Sequence, residues 1–375
     1  MARAPAIAEI EELPEADRLE NFPHPRHTSR LFGHADAERN LADALAGGRM
    51  HHAWLIAGPK GIGKATLAYR FARAALAEPS ERNPSNLDIG EATTATRQVR
   101  ALSHPGLLVI RRPYDVKAKR FSASIPIDEV RRLRTFLGHR AAGDGWRVVI
   151  VDEANELNVN AANALLKSLE EPPARTVFLL LSSAPGELVP TIRSRCRMMA
   201  LSPLANSDLH AAALQALAAA GVTPPSEAEW APLERLSGGS VARLLGLFGA
   251  GGLALQKQID RLLELLPRVD WRAMHSLSDE LQPVAAQPRF ELFFELLMDT
   301  LARLVRTAAT GEGSPDEVAL ATRLVGEARL ASFAALWERV AREKADTLAL
   351  NLDRKSLVIE TVAALAAAAQ DQRPI

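Results

Sequence analysis

One segment of eight residues, 58–65, constrains the fold of this chain more than any other part of its sequence. It reads Gly-Pro-Lys-Gly-Ile-Gly-Lys-Ala, follows the apolar run 53–57 and opens a helical pattern with Leu67 and Phe71 on one face. Glycines at this spacing let backbone N–H groups converge on phosphate oxygens, and the N-terminus of the helix adds its dipole. The segment therefore predicts a strand, a phosphate-binding loop and a helix in direct succession.

The loop departs from the usual nucleotide-binding pattern at one position. Lys64 is placed to reach the β- and γ-phosphates, and the next residue is normally a Ser or Thr whose hydroxyl binds Mg²⁺. Here that residue is Ala65, and Thr66 comes one position later, where a helical step turns the side chain by about 100°. We therefore expect a degenerate site that can hold ATP but binds Mg²⁺ weakly; whether nucleotide binds at Lys64 stays open. The candidate nucleotide-binding residues of this segment are Gly58, Pro59, Lys60, Gly61, Ile62, Gly63, Lys64, Ala65 and Thr66.

Composition limits the classes of protein to which the chain can belong. Its 375 residues predict two or three domains. The balance of 45 Lys and Arg against 45 Asp and Glu provides no overall basic field for nucleic acid. The single cysteine, Cys196, excludes an internal disulfide and a cysteine-based zinc site. Because no apolar run approaches 18 residues and the acidic start is unlike a signal peptide, we expect a cytoplasmic chain with no membrane partner.

Apolar runs and helical patterns divide the chain. Short apolar runs alternate with helical stretches up to residue 201, which is typical of a parallel sheet covered by helices on both faces. Beyond Pro203 only helical patterns remain, and the long amphipathic ones predict a bundle. The predicted strands are 53–57, 107–110, 148–151, 177–181 and 198–201. The predicted domains are an extended N-terminal arm (1–28), a nucleotide-binding-like α/β domain (29–203), a small helical lid (204–248) and a helical oligomerisation domain (249–375).

Two carboxylates follow the predicted strand 148–151. In nucleoside triphosphatases the first, here Asp152, holds Mg²⁺, and the second, here Glu153, polarises the attacking water. Strands commonly exit into charged loops, so the pair alone is a weak signal, but its place after a phosphate loop indicates a nucleotide site. The remaining polar candidates have ordinary interpretations: Asp17 and Glu20 as solvated charges of the arm, and His34, His51 and His52 as packing or capping residues.

Four further segments resemble the bacterial clamp-loader family of AAA+ proteins. They are 31–34 (Leu-Phe-Gly-His), 48–54 (Gly-Arg-Met-His-His-Ala-Trp), 161–173, which ends in Leu-Glu-Glu-Pro-Pro, and 194–196 (Ser-Arg-Cys). They occur in the family's order over residues 26–203, and within the family the chain resembles the delta-prime subunits of DNA polymerase III. The resemblance implies a five-stranded parallel AAA+ domain of the phosphate-loop type, followed by the small helical lid and an all-α collar.

The resemblance also implies roles for individual residues. Arg195 of the Ser-Arg-Cys segment would be an arginine finger that reaches, in trans, the γ-phosphate bound by a neighbouring subunit. Glu153 would be the catalytic glutamate or its vestige. Ser183, which follows the strand 177–181, would contact the γ-phosphate or its water, and the alternative that Ser182 and Ser183 only form a turn stays open.

Two departures from the family's motor subunits argue against strong ATP hydrolysis and against zinc. The second sensor motif has Ala242 at the position of its arginine, and Arg243 comes one residue later. No cysteine occurs in 77–103, which excludes the zinc module that motor subunits carry in this region. We therefore expect no zinc and a weak or absent ATPase.

The expected function is that of an accessory subunit of a DNA-directed DNA polymerase (nucleotidyltransferase) holoenzyme in DNA replication. The subunit would complete a hetero-oligomeric ring with the delta and tau/gamma subunits, and that ring would load the sliding clamp on primer–template DNA. The alternative is an ATP-hydrolysing motor subunit of tau/gamma type, which Ala65 and the displaced Arg243 disfavour. An AAA+ adaptor for another DNA transaction would leave the Ser-Arg-Cys and Leu-Glu-Glu-Pro-Pro segments unexplained.

Overall fold

The computed structural model describes residues 13–83, 85–138 and 145–370 of the chain. The chain divides into two compact units, of which the first ends at Leu245 and the second begins at Gly246. The finer division into arm, α/β domain, lid and collar stays a prediction. Within the described ranges, every helix is too short or too polar to cross a membrane.

A sheet of five parallel strands forms the centre of the first unit. The five strands of this sheet are β1 (Ala53–Ala57), β2 (Leu107–Ile110), β5 (Arg147–Val151), β6 (Thr176–Ser182) and β7 (Arg197–Ala200). Two further strands, β3 (Tyr114–Asp115) and β4 (Arg120–Phe121), form a separate short antiparallel ribbon. The spatial order of the large sheet is β2-β5-β6-β1-β7. All five predicted strands agree with observed ones to within one residue at each end, so the predicted parallel α/β fold is confirmed.

The central strands are buried on both faces. Every residue of β1 and of β6 is buried. Successive side chains of a strand point to opposite faces. Accordingly, Trp54 of β1 packs in one core with Phe71, whereas Leu55 packs in the other core with Leu165. Because both faces of these strands are buried, their sequences are continuous apolar runs and do not alternate between apolar and polar residues.

Local signals explain where the helices of this part of the chain begin and end. The helix that starts at Lys64 follows Gly63, whose φ of 112° suits glycine. The helix that starts at Val159 is capped by Asn158, whose side chain accepts a hydrogen bond from the Ala161 N–H over 2.8 Å. The helices are α1 (Ala35–Ala46), α2 (Lys64–Leu76), α3 (Thr94–Arg100), α4 (Ile127–Gly138), α5 (Val159–Glu170), α6 (Pro190–Arg193), α7 (Asn206–Ala220), α8 (Glu227–Ser237) and α9 (Val241–Gly249).

The second unit is helical throughout its described residues, as predicted. The helix that starts at Gln287 has the most extensive packing in this unit: it packs against the helices that start at Gly252, Pro315 and Gly326. Buried phenylalanines, among them Phe290, fill its inner face. The helices are α10 (Gly252–Leu265), α11 (Trp271–Leu281), α12 (Gln287–Thr310), α13 (Pro315–Leu324), α14 (Gly326–Leu350) and α15 (Arg354–Gln370).

The interpretation of Asp17 as a solvated charge was wrong, whereas Glu20 is exposed as expected. The Asp17 side chain is only 5% exposed, because Arg111 Nη1 donates to it over 2.6 Å and His24 Nε2 lies 2.8 Å away. A carboxylate can be buried when cationic partners replace its water. Residues 1–12 of the predicted arm lie outside the described residues.

Burial in the second unit can be tested with one substitution at two positions. Leu365 in α15 is fully buried, so Leu365→Ala is expected to lower the free energy of unfolding by about 2–5 kcal/mol. Leu350, at the end of α14, is 68% exposed, and Leu350→Ala is expected to change that energy by less than about 0.5 kcal/mol. Urea unfolding of the full chain, followed by circular dichroism, measures both variants. Equal losses would contradict the packing of α15.

Candidate nucleotide site

Residues that follow three neighbouring strands meet at one edge of the sheet. The phosphate loop follows β1, Asp152 and Glu153 follow β5, and Ser183 follows β6. The carboxyl ends of parallel strands lie at the same edge, which is where α/β sheets bind ligands. A cavity of about 570 Å³ opens there, and its wall includes Asp152, Glu153 and the whole of 60–66. The other predicted residues are hydrogen-bonded to residues of this wall: Gly58 and Pro59 to Lys64, and Ser183 to Glu153.

The phosphate loop has a backbone that requires glycine. Gly58 and Gly61 have φ values of 154° and 78°, and a Cβ on either would lie within 2.5 Å of a neighbouring atom. The Lys64 side chain is 5% exposed, and its amino group donates to the carbonyl oxygens of Gly58 (2.8 Å) and Pro59 (2.9 Å). Burial lowers the pKa of Lys64, against the opposing effect of Glu153. The lysine therefore stabilises the loop itself and lies on the wall that phosphates would contact.

Glu153 connects the loop to the end of β6. Its backbone has a φ of 49°, which is unusual for a residue with a side chain. Its carboxylate accepts hydrogen bonds from the Ser183 hydroxyl (2.6 Å) and the Ser183 N–H (3.1 Å), and lies 3.6 Å from Lys64 Nζ. The structure thus brings together three of the predicted site residues through one carboxylate.

Asp152 is buried beside a residue that comes from the N-terminal segment. The pKa of Asp152 is raised to about 8, chiefly by burial and then by the negative charges of Asp17 and Glu153. Asp17 lies on the wall of the same cavity as Asp152 and is held by Arg111, the residue directly after β2. Sequence reasoning missed both Asp17 and Arg111. The one available signal was that Arg111 follows a predicted strand and so had to lie at this edge of the sheet.

The start of α9 lies directly on the phosphate loop. The Ser240 hydroxyl donates to the Lys60 carbonyl over 2.8 Å, and the N–H groups of Val241 and Ala242 donate to the Gly61 carbonyl at 3.0 and 3.3 Å. A Cβ on Gly61 would lie 2.5 Å from the Ala242 Cβ. The position where motor subunits have a sensor arginine therefore holds a small side chain that packs against the loop.

The residues of the site fit a phosphate group but not Mg²⁺. The glycine backbone, the start of α2 and Lys64 are the donors that phosphate oxygens need. For Mg²⁺, position 65 offers a methyl group in place of a hydroxyl, and Asp152 is buried with a pKa raised towards its neutral form. Within the described part of the chain, no group of three or more His, Cys, Asp or Glu side chains is arranged to hold a metal.

Arg195 lies outside the cavity, on the surface between α6 and β7. Its side chain is 35% exposed. Nη2 donates to Glu170 over 2.7 Å, and Nη1 donates to the Thr191 carbonyl over 2.9 Å. Glu170 belongs to the segment 161–173, so two of the four segments that resemble clamp loaders are in contact.

Comparison with known proteins finds relatives among DNA polymerase III subunits. The family described as "DNA polymerase III, delta subunit" matches residues 33–205. The DNA polymerase III subunit delta' of Pseudomonas aeruginosa is 39% identical over 57% of this chain and 61% of its own length. The delta' subunit of Escherichia coli is 34% identical over 72% of this chain and 75% of its own length. The tau subunit of Bacillus subtilis is 28% identical over 46% of this chain and 28% of its own length.

The raised pKa of Asp152 predicts a dependence of stability on pH. Between the ordinary value of 3.8 and about 8, the unfolded chain releases this proton while the folded chain keeps it, so stability falls as the pH rises. Asp152→Asn has no proton to release. We expect its melting temperature to exceed that of the wild type at pH 8, with a smaller difference at pH 4.

The control for this prediction is Asp128→Asn, which changes a carboxylate that is 77% exposed. Its melting temperature is expected to follow that of the wild type at every pH. Differential scanning fluorimetry from pH 4 to pH 8 measures all three proteins. A constant difference between Asp152→Asn and the wild type would rule out the buried proton.

Proposed function

The chain belongs to the family of DNA polymerase III delta-prime subunits, and on that premise we propose that it is an accessory subunit of a cytoplasmic clamp loader. In this role it joins delta and tau/gamma subunits in a hetero-oligomeric ring, and the ring loads the sliding clamp on primer–template DNA. The aligned region covers 61% of the Pseudomonas subunit and 75% of the Escherichia one, with 39% and 34% identity.

The observation that carries the proposal is the separation of Arg195 from the chain's own cavity. An arginine that serves its own nucleotide site has to lie on the wall of that site, and Arg195 does not. Its guanidinium is instead held at the surface by Glu170 and by the Thr191 carbonyl. We propose that it contacts the γ-phosphate bound by a neighbouring subunit, where a planar, permanently charged group stabilises the transferred phosphoryl group.

The proposed subunit binds nucleotide without turning it over efficiently. The phosphate loop and Lys64 support binding, whereas Ala65 and Ala242 lack the hydroxyl and the guanidinium that motor subunits use. Positioning and charge neutralisation provide most of the catalysis in phosphoryl transfer, so the loss of both is costly. The same residues disfavour the alternative of an ATP-hydrolysing motor subunit.

The first prediction from this proposed function concerns the isolated chain. We expect its ATP turnover with Mg²⁺ to be below about 1% of that of a motor subunit, because no hydroxyl at position 65 holds the metal. Lys64→Ala is the control, since it removes the amino group that would contact the β- and γ-phosphates. Phosphate release by the two proteins should be equal. A wild-type rate clearly above that of Lys64→Ala would mean that the chain is an ATPase in its own right.

The second prediction concerns the assembled loader. An arginine finger contributes roughly 10³–10⁵-fold to the rate at its own site. Arg195→Ala should therefore abolish turnover at one site and lower the total DNA- and clamp-stimulated rate only partly. Arg195→Lys should rescue poorly, because an ammonium group lacks the planar fork.

Arg193→Ala is the matched control, because Arg193 is an exposed arginine two positions away in α6. It is expected to leave the rate unchanged. Gel filtration verifies that each variant is in the complex before turnover and clamp loading are measured. Wild-type rates in a verified Arg195→Ala complex would refute the role in trans.

A further inference from the structure

The segment between β2 and α4 carries a local excess of positive charge. Residues 111–120 include five Lys or Arg side chains and one acid, Asp115. Over the whole chain, cations and acids balance at 45 each. A protein without net charge can bind a polyanion only where its cations are concentrated locally. Residues 111–121, here called the basic ribbon, are therefore a candidate polyanion surface if their cations are exposed and not already paired.

The base of the basic ribbon is fastened to the first unit. Arg111 and Arg112 are both bound to carboxylates outside the ribbon. Tyr114 and Phe121 lie opposite each other on β3 and β4, and their rings pack edge to face with centroids 5.2 Å apart. Aromatic pairs across two strands stabilise them. The two arginines at the base are thus neutralised, and they hold the ribbon in place.

The tip of the basic ribbon is exposed and carries the remaining cations. All six residues 115–120 are exposed. Asp115 accepts hydrogen bonds from the N–H groups of Lys117 (2.9 Å) and Ala118 (3.0 Å), which shapes the turn. Within the parts of the chain that the structure describes, no carboxylate forms an ion pair with Lys117, Lys119 or Arg120. Three positive charges at the tip are therefore available to a partner.

Helix α4 lies beside the basic ribbon and does not offset its charge. Tyr114 lines a groove together with Arg132 of α4. The two acids in the first turn of this helix are paired within the helix, with Arg131 at 2.7 Å and with Arg132 at 2.6 Å. Arg134 adds a further exposed cation. The surface that surrounds the ribbon on this side therefore leaves its positive charge in place.

The tip suits a phosphate backbone better than an acidic protein face. Protein interfaces have aromatic and apolar side chains at their centre. Four of the six exposed residues 115–120 are charged, and Val116, which is 59% exposed, is the one large apolar side chain among them. Cations that neutralise phosphates release bound counterions, so they contribute affinity without reading a base.

We propose that the tip of the basic ribbon, through Lys117, Lys119 and Arg120, binds the sugar–phosphate backbone of DNA without reading its sequence. The inference rests on the proposed function, since it names the residues through which this chain contacts the DNA on which the loader acts. Its test uses the isolated full chain and involves neither Arg195 nor ATP turnover. The two proposals can therefore fail separately.

The test is the salt dependence of DNA binding, measured by fluorescence anisotropy with a labelled primer–template duplex from about 25 to about 200 mM salt. Each phosphate contact contributes about 0.9 to the slope of log Kobs against log[salt]. Replacing Lys117, Lys119 and Arg120 together with Gln keeps long polar side chains and removes three charges. We expect the slope to become shallower by about 2–3, and the affinity at the lowest salt to fall about tenfold or more. A duplex of scrambled sequence should bind the wild type equally well.

The matched control replaces three exposed cations of the second unit, Lys257, Arg261 and Arg268, with Gln, and it should keep the wild-type slope. Circular dichroism verifies that each variant is folded. If the triple ribbon variant is not, the single variants Lys117→Gln, Lys119→Gln and Arg120→Gln take its place, and each should make the slope shallower by about one.

Three results would overturn the proposal. The first is that the wild-type chain shows no binding at the lowest salt. The second is an equal change of slope in the ribbon variant and the control, because binding would then follow total charge. The third is a ribbon variant that keeps the wild-type slope; if that variant also fails to enter the loader in gel filtration, the partner of the ribbon is an acidic protein face.

Discussion

The pairing of β1, β5 and β6 is the constraint on which the rest of the first unit depends. These strands are parallel and neighbouring, with β1 and β6 in register from Ala53 and Phe178 to Ala57 and Ser182. Their burial on both faces fixes that register, because a shift by one residue would exchange the two cores. The ladder continues past the strand ends, since the Gly58 N–H donates to the Ser182 carbonyl over 3.1 Å. The loop and the acidic residues therefore meet as a consequence of strand pairing, before any ligand is considered.

The charged groups at this edge are largely satisfied by one another. Lys64 is bound to the carbonyls of its own loop, Glu153 to Ser183, and Asp17 to Arg111. In a water-poor environment each of these contacts is stronger than it would be at the surface, and a ligand has to replace it at comparable strength. A phosphate can do so at the loop, where backbone donors remain. A divalent cation has no equivalent opportunity at Asp152, because this carboxyl group is buried and position 65 adds no hydroxyl ligand.

The sequence allowed the strands to be predicted almost to the residue, because double burial leaves continuous apolar runs. The glycine loop, Glu153 and Asp152 could be placed at one edge for the same reason. Asp17 could not, because its partner Arg111 is 94 residues away and no local pattern records a contact over that distance. Ala242 was identified as a departure from the motor-subunit motif, yet its packing against Gly61 depends on the position of α9, which periodicity does not specify. The proposed role of Arg195 likewise depends on a neighbouring chain, which the sequence of this chain does not describe.

The two arginines that matter most differ in how readily they can change partner. Arg111 is bound to the carboxylates of Glu15 and Asp17, which are no more than 12% exposed, and leaving such groups unpaired in the interior is costly. Arg195 is paired with Glu170, whose side chain is 47% exposed, and such surface pairs contribute only about 0–1 kcal/mol. A γ-phosphate carries more charge than one carboxylate and can therefore take Arg195 from Glu170 at little cost. Arg111 is thus fixed to its carboxylates, whereas Arg195 can exchange its partner at little cost.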